Sequence, residues 1–327
     1  MSRRRHSGRE VHGILLLDKR QGVSSNAALQ EVRRLFAAKK AGHTGSLDPL
    51  ATGLLPVCFG EATKISGLLL DDDKRYRVVI RLGVVTDTGD AEGKVLSTQP
   101  VPIFERHRID RCLAKFTGCI EQVPPMYSAL KHQGKRLYEL AREGQEVQRK
   151  PRRITVHRIE CLDYAGDLLT LDVSCSKGTY IRTLAEDIGA DLDCGASVKE
   201  LRRLAVGGFS IDAAWTLKQL QVLDDTQRLQ CLQPVDQALL AWPKIILDRD
   251  LADRIRQGQK IVPIEQPPPG MVRIYTAAGI LGIGEIDPHG GLAPRRLFRI
   301  QGNADCWGMN SCADICLESG KNAVNRC

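Results

Sequence analysis

The chain has 327 residues, 43% of them hydrophobic, with 47 Lys plus Arg against 39 Asp plus Glu for a formal charge of +8. That content excludes a disordered chain, the length calls for one large domain or two, and the cationic excess makes a polyanion a natural partner. The N-terminus MSRRRHSGRE lacks the apolar stretch of a secretory signal, and no run of 18 apolar residues offers a membrane span, so a cytoplasmic protein without a membrane partner is expected.

VHGILLLDK (11–19) reads as a strand, and Ser24 or Ser25 caps a helix with Ala28, Val32, Leu35 and Phe36 on one face. In YRVVIRLG, Tyr76, Val78, Ile80 and Leu82 alternate with Arg75, Arg77, Val79 and Arg81, a strand with one apolar and one basic face. TDTGDAEG follows as a solvated acidic turn; Asp87, Asp90 and Glu92 fail the spacing of a calcium loop. ITVHRIECLDY and LLTLDVSC are two strands joined by the turn AGD. TYIRTLAEDIGADL is helical, with Leu184, Ile188 and Leu192 one turn apart, and 216–240 reads as helical again. The alternation lacks a strict βαβ rhythm, which predicts an α+β domain on a mixed, largely antiparallel sheet flanked by helices and loops.

After Trp242-Pro243 the texture changes to short strands (VRIYTA, GILGIGEI, RRLFRI), a proline run and many glycines, which reads as a small β-rich module. GILGIGEI opens no helix and is no nucleotide fingerprint. Of the eleven cysteines, Cys58, Cys112, Cys119, Cys161, Cys175, Cys194 and Cys231 stand singly in apolar segments and read as buried reduced thiols. Cys306, Cys312, Cys316 and Cys327 lie in a tail, 303–327, that is expected to be poorly ordered. There is no Cys-x-x-Cys pair, no H-E-x-x-H and no P-loop, so neither a metal nor a cofactor is expected.

The most informative stretch is GHTGSLDPLATGLLPVCFGEATK (42–64). One carboxylate, Asp48, lies among Gly42, Gly45, Gly53 and Gly60 and the prolines Pro49 and Pro56. Glycine permits sharp bends and close approach, and proline stiffens the chain, so the acid is held rather than free. This stretch closely resembles the signature of the TruB family of tRNA pseudouridine synthases. The resemblance continues through LLLDKRQGVSSN (15–26), DKRYRVVIRLGVVTDTGDAEG (73–93), PPMYSALKHQGKRLYELAREG (124–144), CSKGTYIRTLAEDIGADLDCGA (175–196) and LRRLAVG (201–207), in the family's order.

The resemblance implies the pseudouridine synthase fold over 1–240, with an RNA-binding insertion around 124–153, and a small PUA-like RNA-binding β-barrel over 241–302. It implies isomerisation of uridine 55 in the tRNA T-loop by the bacterial type of enzyme, without cofactor or guide RNA, by a monomer whose partner is tRNA. Asp48 is carried over as the nucleophile, and attack on base or sugar stays open. Arg182 is its counter-charge. Tyr76 stacks on a flipped base and is a candidate for proton transfer, Tyr180 contacts substrate, Leu201 packs against the base and His43 touches the RNA loop. Lys19 belongs to the substrate-binding set; beside it, Arg20 stands where the family usually has proline. Residues 131–153 carry eight Lys or Arg against three Glu. Of these, Lys131, Lys135, Lys150, Arg152 and Arg153 are candidate RNA-backbone contacts. An RNA-folding protein whose chemistry is dispensable, and a guide-RNA-dependent relative, are the competing readings.

Overall fold

The protein is described from a computed structural model covering residues 8–264 and 267–300. The expected tail at 303–327 lies outside the described residues. The principal strands are β1 (Gly13–Lys19), β2 (Thr52–Phe59), β3 (Lys74–Leu82), β4 (Gly118–Gln122), β5 (Arg152–Ala165), β6 (Leu168–Cys175) and β7 (Ala196–Val206). They form one sheet in the order β1-β2-β7-β3-β6-β5-β4, with Trp215–Thr216 added beyond β1. β2 runs parallel to β7, and Trp215–Thr216 runs parallel to β1; the other neighbours along this path are antiparallel. The sheet is therefore mixed and largely antiparallel, as the alternation of patterns predicts.

The unbroken apolar run of β1 is explained by burial on both faces. Leu15 and Leu17 point into a front core with Val32 and Phe36 of α1 (Ser25–Leu35) and with Tyr76, Val78 and Ile80 of β3. α2 (Arg106–Lys115) and α3 (Ile181–Asp191) close the same face through Ile109, Leu113, Leu184 and Ile188. Ile14 and Leu16 point the other way, into a back core with Leu54, Cys58, Val206 and Phe209. β3 is covered on its front only, which is why its other side chains, Arg75, Arg77 and Arg81, are exposed.

The C-terminal module is a four-stranded sheet of β8 (Lys244–Ile246), β9 (Gly270–Thr276), β10 (Gly279–Ile286) and β11 (Leu292–Leu297), in that order, with α4 (Arg249–Arg256). GILGIGEI is β10. The last strand ends at Leu297, earlier than RRLFRI suggested. The module has its own core (Ile245, Ile255, Val272, Ile274, Ile286, Leu292), and it lends Ile283 and Phe298 to the back core of the large sheet. Region 216–240 is less regular than its periodicity implied: helices Leu217–Val222 and Asp225–Gln230 are separated by Leu223 and Asp224, each with its own capping box. Six of the seven described cysteines are buried; Cys119 is exposed, contrary to expectation. No helix among the described residues is long and apolar enough to cross a membrane.

Candidate active site

The Asp48 loop leaves the short strand Ala41–His43 and enters β2 at Thr52. Both its ends and its middle are tied down. The Thr44 N–H donates to the Pro56 carbonyl at 3.1 Å, Gly22 N–H to the Pro49 carbonyl at 2.9 Å, and Leu47 N–H to the Ser25 hydroxyl at 2.7 Å. The paired serines divide the work. Ser24 caps α1 by accepting from Ala27 N–H at 3.1 Å, while Ser25, buried, holds the loop.

Lys19 is enclosed by its surroundings. It is 1% exposed, and its ammonium donates to the carbonyls of Arg20 and Val23 at 3.0 and 2.8 Å, with the Pro49 carbonyl at 3.5 Å. Burial pushes its pKa down to about 8, against the pull of the Asp48 charge. It braces the loop from inside and does not face solvent, where an RNA contact would require it. Arg20 turns away from the site and grips Glu31 of α1 through two bonds of 2.7 and 2.9 Å, so the missing proline is replaced by a tether to the helix.

Arg182 lies one residue into α3 and is buried, not solvated. Its Nε stands 3.0 Å from Asp48 Oδ2 and 3.8 Å from Asp90 Oδ2. Its remaining donors go to the Thr88 carbonyl at 2.7 Å and the Tyr127 carbonyl at 2.6 Å. One guanidinium thus joins the Asp48 loop, the 86–93 turn and Tyr127 of the 124–153 segment. The turn itself departs from the solvated reading: Asp90 is 5% exposed, with its carboxylate accepting from the Thr88 hydroxyl at 2.7 Å and Glu92 N–H at 3.1 Å. A cation had to be placed opposite for this acid to be buried, and that cation is supplied from a helix some 90 residues away, so no local pattern reveals it.

The Asp48 side chain keeps 42% of its surface open at the cleft mouth. Desolvation nevertheless pushes its carboxyl above the ordinary value; Arg182 pulls it down and Asp90 pushes it up. Burial raises the Tyr76 phenol, with Arg203 beside it opposing the shift, and burial likewise raises Tyr180. Both charges, Asp48 and Arg182, lie within electrostatic reach of Tyr180, and Asp48 within reach of Tyr76. The structure therefore places Asp48 and Arg182 in contact, with Tyr76 and Tyr180 within their electrostatic reach. Leu201, 8% exposed, pairs with Val78 on the same front face. His43, half-buried, has a buried Nδ1 with no hydrogen-bond partner among the described residues, and burial lowers its pKa, with the Arg203 charge acting in the same direction.

Gln122 is a site residue that the sequence did not single out. It is buried at the end of β4, and its amide accepts from Tyr180 N–H at 2.8 Å and donates to the Tyr180 carbonyl at 3.1 Å, fixing the N-cap residue of α3. Its only sequence signal was its place two residues before the PPMYS block. In the insertion, Lys131, Lys135, Lys150, Arg152 and Arg153 are all exposed. Lys135 faces Glu143 at 3.6 Å; the other four form no ion pair among the described residues. Arg152 is the one of them close enough to Tyr180 to lower its phenol pKa.

Family models match along the chain in series. A model described as TruB family pseudouridylate synthase (N terminal domain) matches residues 33–181. A tRNA pseudouridylate synthase B C-terminal domain matches 182–240, and a model described as Pseudouridine synthase II TruB, C-terminal, matches 243–298. A protein named tRNA pseudouridine synthase B from Nitrosococcus oceani is 54% identical over 299 residues, covering 90% of this chain and 97% of that one. One of the same name from Dechloromonas aromatica is 52% identical over 295 residues, covering 89% and 97%. Among solved structures, a Cbf5-Nop10-Gar1 complex superposes with a TM-score of 0.68 at 24% identity over 91% of this chain and 88% of the matched one, a likeness of fold. With matches in this order and identity of this extent, the chain belongs to the TruB family of pseudouridylate synthases.

Proposed function

We propose that the protein converts uridine to pseudouridine at position 55 in the T-loop of tRNA, acting as a cytoplasmic monomer without guide RNA or cofactor. The observation that carries this reading is the Asp48–Arg182 pair at 3.0 Å, with the Asp48 side chain still reached by solvent and two tyrosines within its electrostatic reach. In the net reaction the bond between N1 and C1′ breaks, the bond between C5 and C1′ forms, and the C5 proton is replaced by one on N1. Nothing is oxidised and no group is lost. Asp48 is the group that bonds transiently to the substrate; Arg182 keeps it ionised in a site that takes an uncharged base. The uridine leaves its stack to reach the cleft, with Tyr76 and Tyr180 as the aromatic surfaces that receive it and Leu201 as an apolar wall.

We read 1–240 as the catalytic domain, 124–153 as its RNA-binding insertion and 241–302 as an RNA-binding module. The four exposed cations of the insertion without ion pairs are placed to meet phosphates. Incubation of the purified protein with unmodified tRNA transcript and no added factor is expected to give pseudouridine at position 55. A second reading, guidance by a separate RNA, draws on the fold shared with the Cbf5 complex. Modification of bare transcript would exclude it, and inactivity on bare transcript would overturn the first reading.

A further inference from the structure

The largest fully buried side chain among the described residues is a cation: Arg203 of β7, 1% exposed. No carboxylate lies within ion-pair distance of it among those residues. A guanidinium removed from water without an acid is costly unless its N–H groups are used. Here they are used on the active site. Nε donates to the Leu54 carbonyl at 2.7 Å, and Nη2 donates to the Gly45 carbonyl at 3.1 Å. These carbonyls bracket the chain that carries Asp48. The same guanidinium stands beside the Tyr76 phenol, its cross-strand neighbour, and opposes the rise of that phenol's pKa.

Strand register makes this possible. Arg203 pairs with Tyr76 of β3 on one side and with Gly53 of β2 on the other. Gly53 has φ +100°, and a Cβ there would lie 2.3 Å from the Arg203 carbonyl oxygen, so only glycine lets the two strands approach. A fixed planar fork of donors suits two separate carbonyls; a lysine ammonium is a point charge on a flexible stem.

We propose that Arg203 is a positioning residue for the isomerisation, holding both ends of the Asp48 loop and keeping its guanidinium beside the Tyr76 phenol, so that carboxylate and phenol stay in one fixed arrangement. This rests on the assignment of Asp48 and Tyr76 to the site and goes beyond it, since Arg203 is shut off from RNA.

The test is a double-mutant cycle on the full chain with tRNA transcript. Arg203→Lys is expected to lower kcat about tenfold or more while leaving KM within about threefold, and to cost less than about threefold once Tyr76→Phe is present. A folded Arg203→Lys protein with kcat within twofold of the parent, or additive losses, overturns the proposal. Should the lysine variant not fold, isotope-labelled arginine spectra of the intact protein give a second reading. One solvent-protected Nε–H is expected to shift on Tyr76→Phe, and an unmoved resonance overturns the proposal. Asp48→Asn serves as the control. If it turns over normally, the site assignment fails. If it is dead while Arg203→Lys is unaffected, the Arg203 inference alone fails.

Discussion

Asp48 is governed by opposing influences: desolvation, the largest, and Asp90 favour its neutral form, and Arg182 and Lys19 favour its charge. Its raised pKa gives a sign to the pH dependence. If Asp48 is the nucleophile it must be ionised, so kcat is then expected to rise with pH through a value above that of an ordinary aspartate and to level off beyond it. Asp48→Asn is expected to lower turnover by about 10³-fold or more while changing tRNA affinity by less than about tenfold, as the proposed phosphate contacts elsewhere would be untouched. Single-turnover pseudouridine release and filter binding would check the two halves. Substantial turnover by the asparagine variant would remove Asp48 from the chemistry.

At the level of elements, the site is built where three backbones converge. α3 presents Tyr180 and Arg182 from its first turn because Gln122 of β4 clamps Tyr180 by both backbone polar groups. β7 lies between β2 and β3 and is therefore the one strand able to reach the nucleophile loop and Tyr76 together. Gly53→Ala tests this junction. The new methyl group would meet the Arg203 backbone at 2.3–3.0 Å, from a residue at positive φ. It is expected to cost about 2–4 kcal/mol of stability, as overpacking and backbone strain together. Urea unfolding would measure it, and a loss under 0.5 kcal/mol would refute the close approach.

Across the whole molecule, the β1, β2 and β7 part of the large sheet is buried on both faces, and the C-terminal module packs against its back. The apolar contact through Ile283 and Phe298 is flanked by polar ties: Lys64 Nζ to the Leu297 carbonyl at 2.7 Å, Arg299 N–H to Glu61 at 2.7 Å, and Arg273 to Asp236 at 3.2 Å. A cavity of about 780 Å³ lies at this seam, lined by Glu61, Lys64, Ile280 and Phe298, away from the Asp48 cleft. Long-range charge acts at this scale too. If Lys150 and Arg152 each neutralise a phosphate, replacing both by glutamine is expected to weaken tRNA binding and to reduce the slope of log K against log salt by about 1.5. An unchanged slope would take that surface out of the footprint.

Periodicity and punctuation in the sequence were enough for β1, α1, β3, the β5–β6 hairpin and α3, since each buries a face set by its own repeat. The bent, stiffened loop around Asp48 was legible for the same reason: glycine and proline act on the backbone where they stand. What only the tertiary structure decided was which charges are buried and what they hold. Asp90 sits in a segment that reads as solvated, Lys19 in one that reads as RNA-facing, and Arg203 beside Arg202, which bonds Asp18 near the surface at 2.7 Å. Nothing local separates the two arginines. Strand register turns one inward, and burying an ion depends on partners that the fold brings from distant parts of the chain.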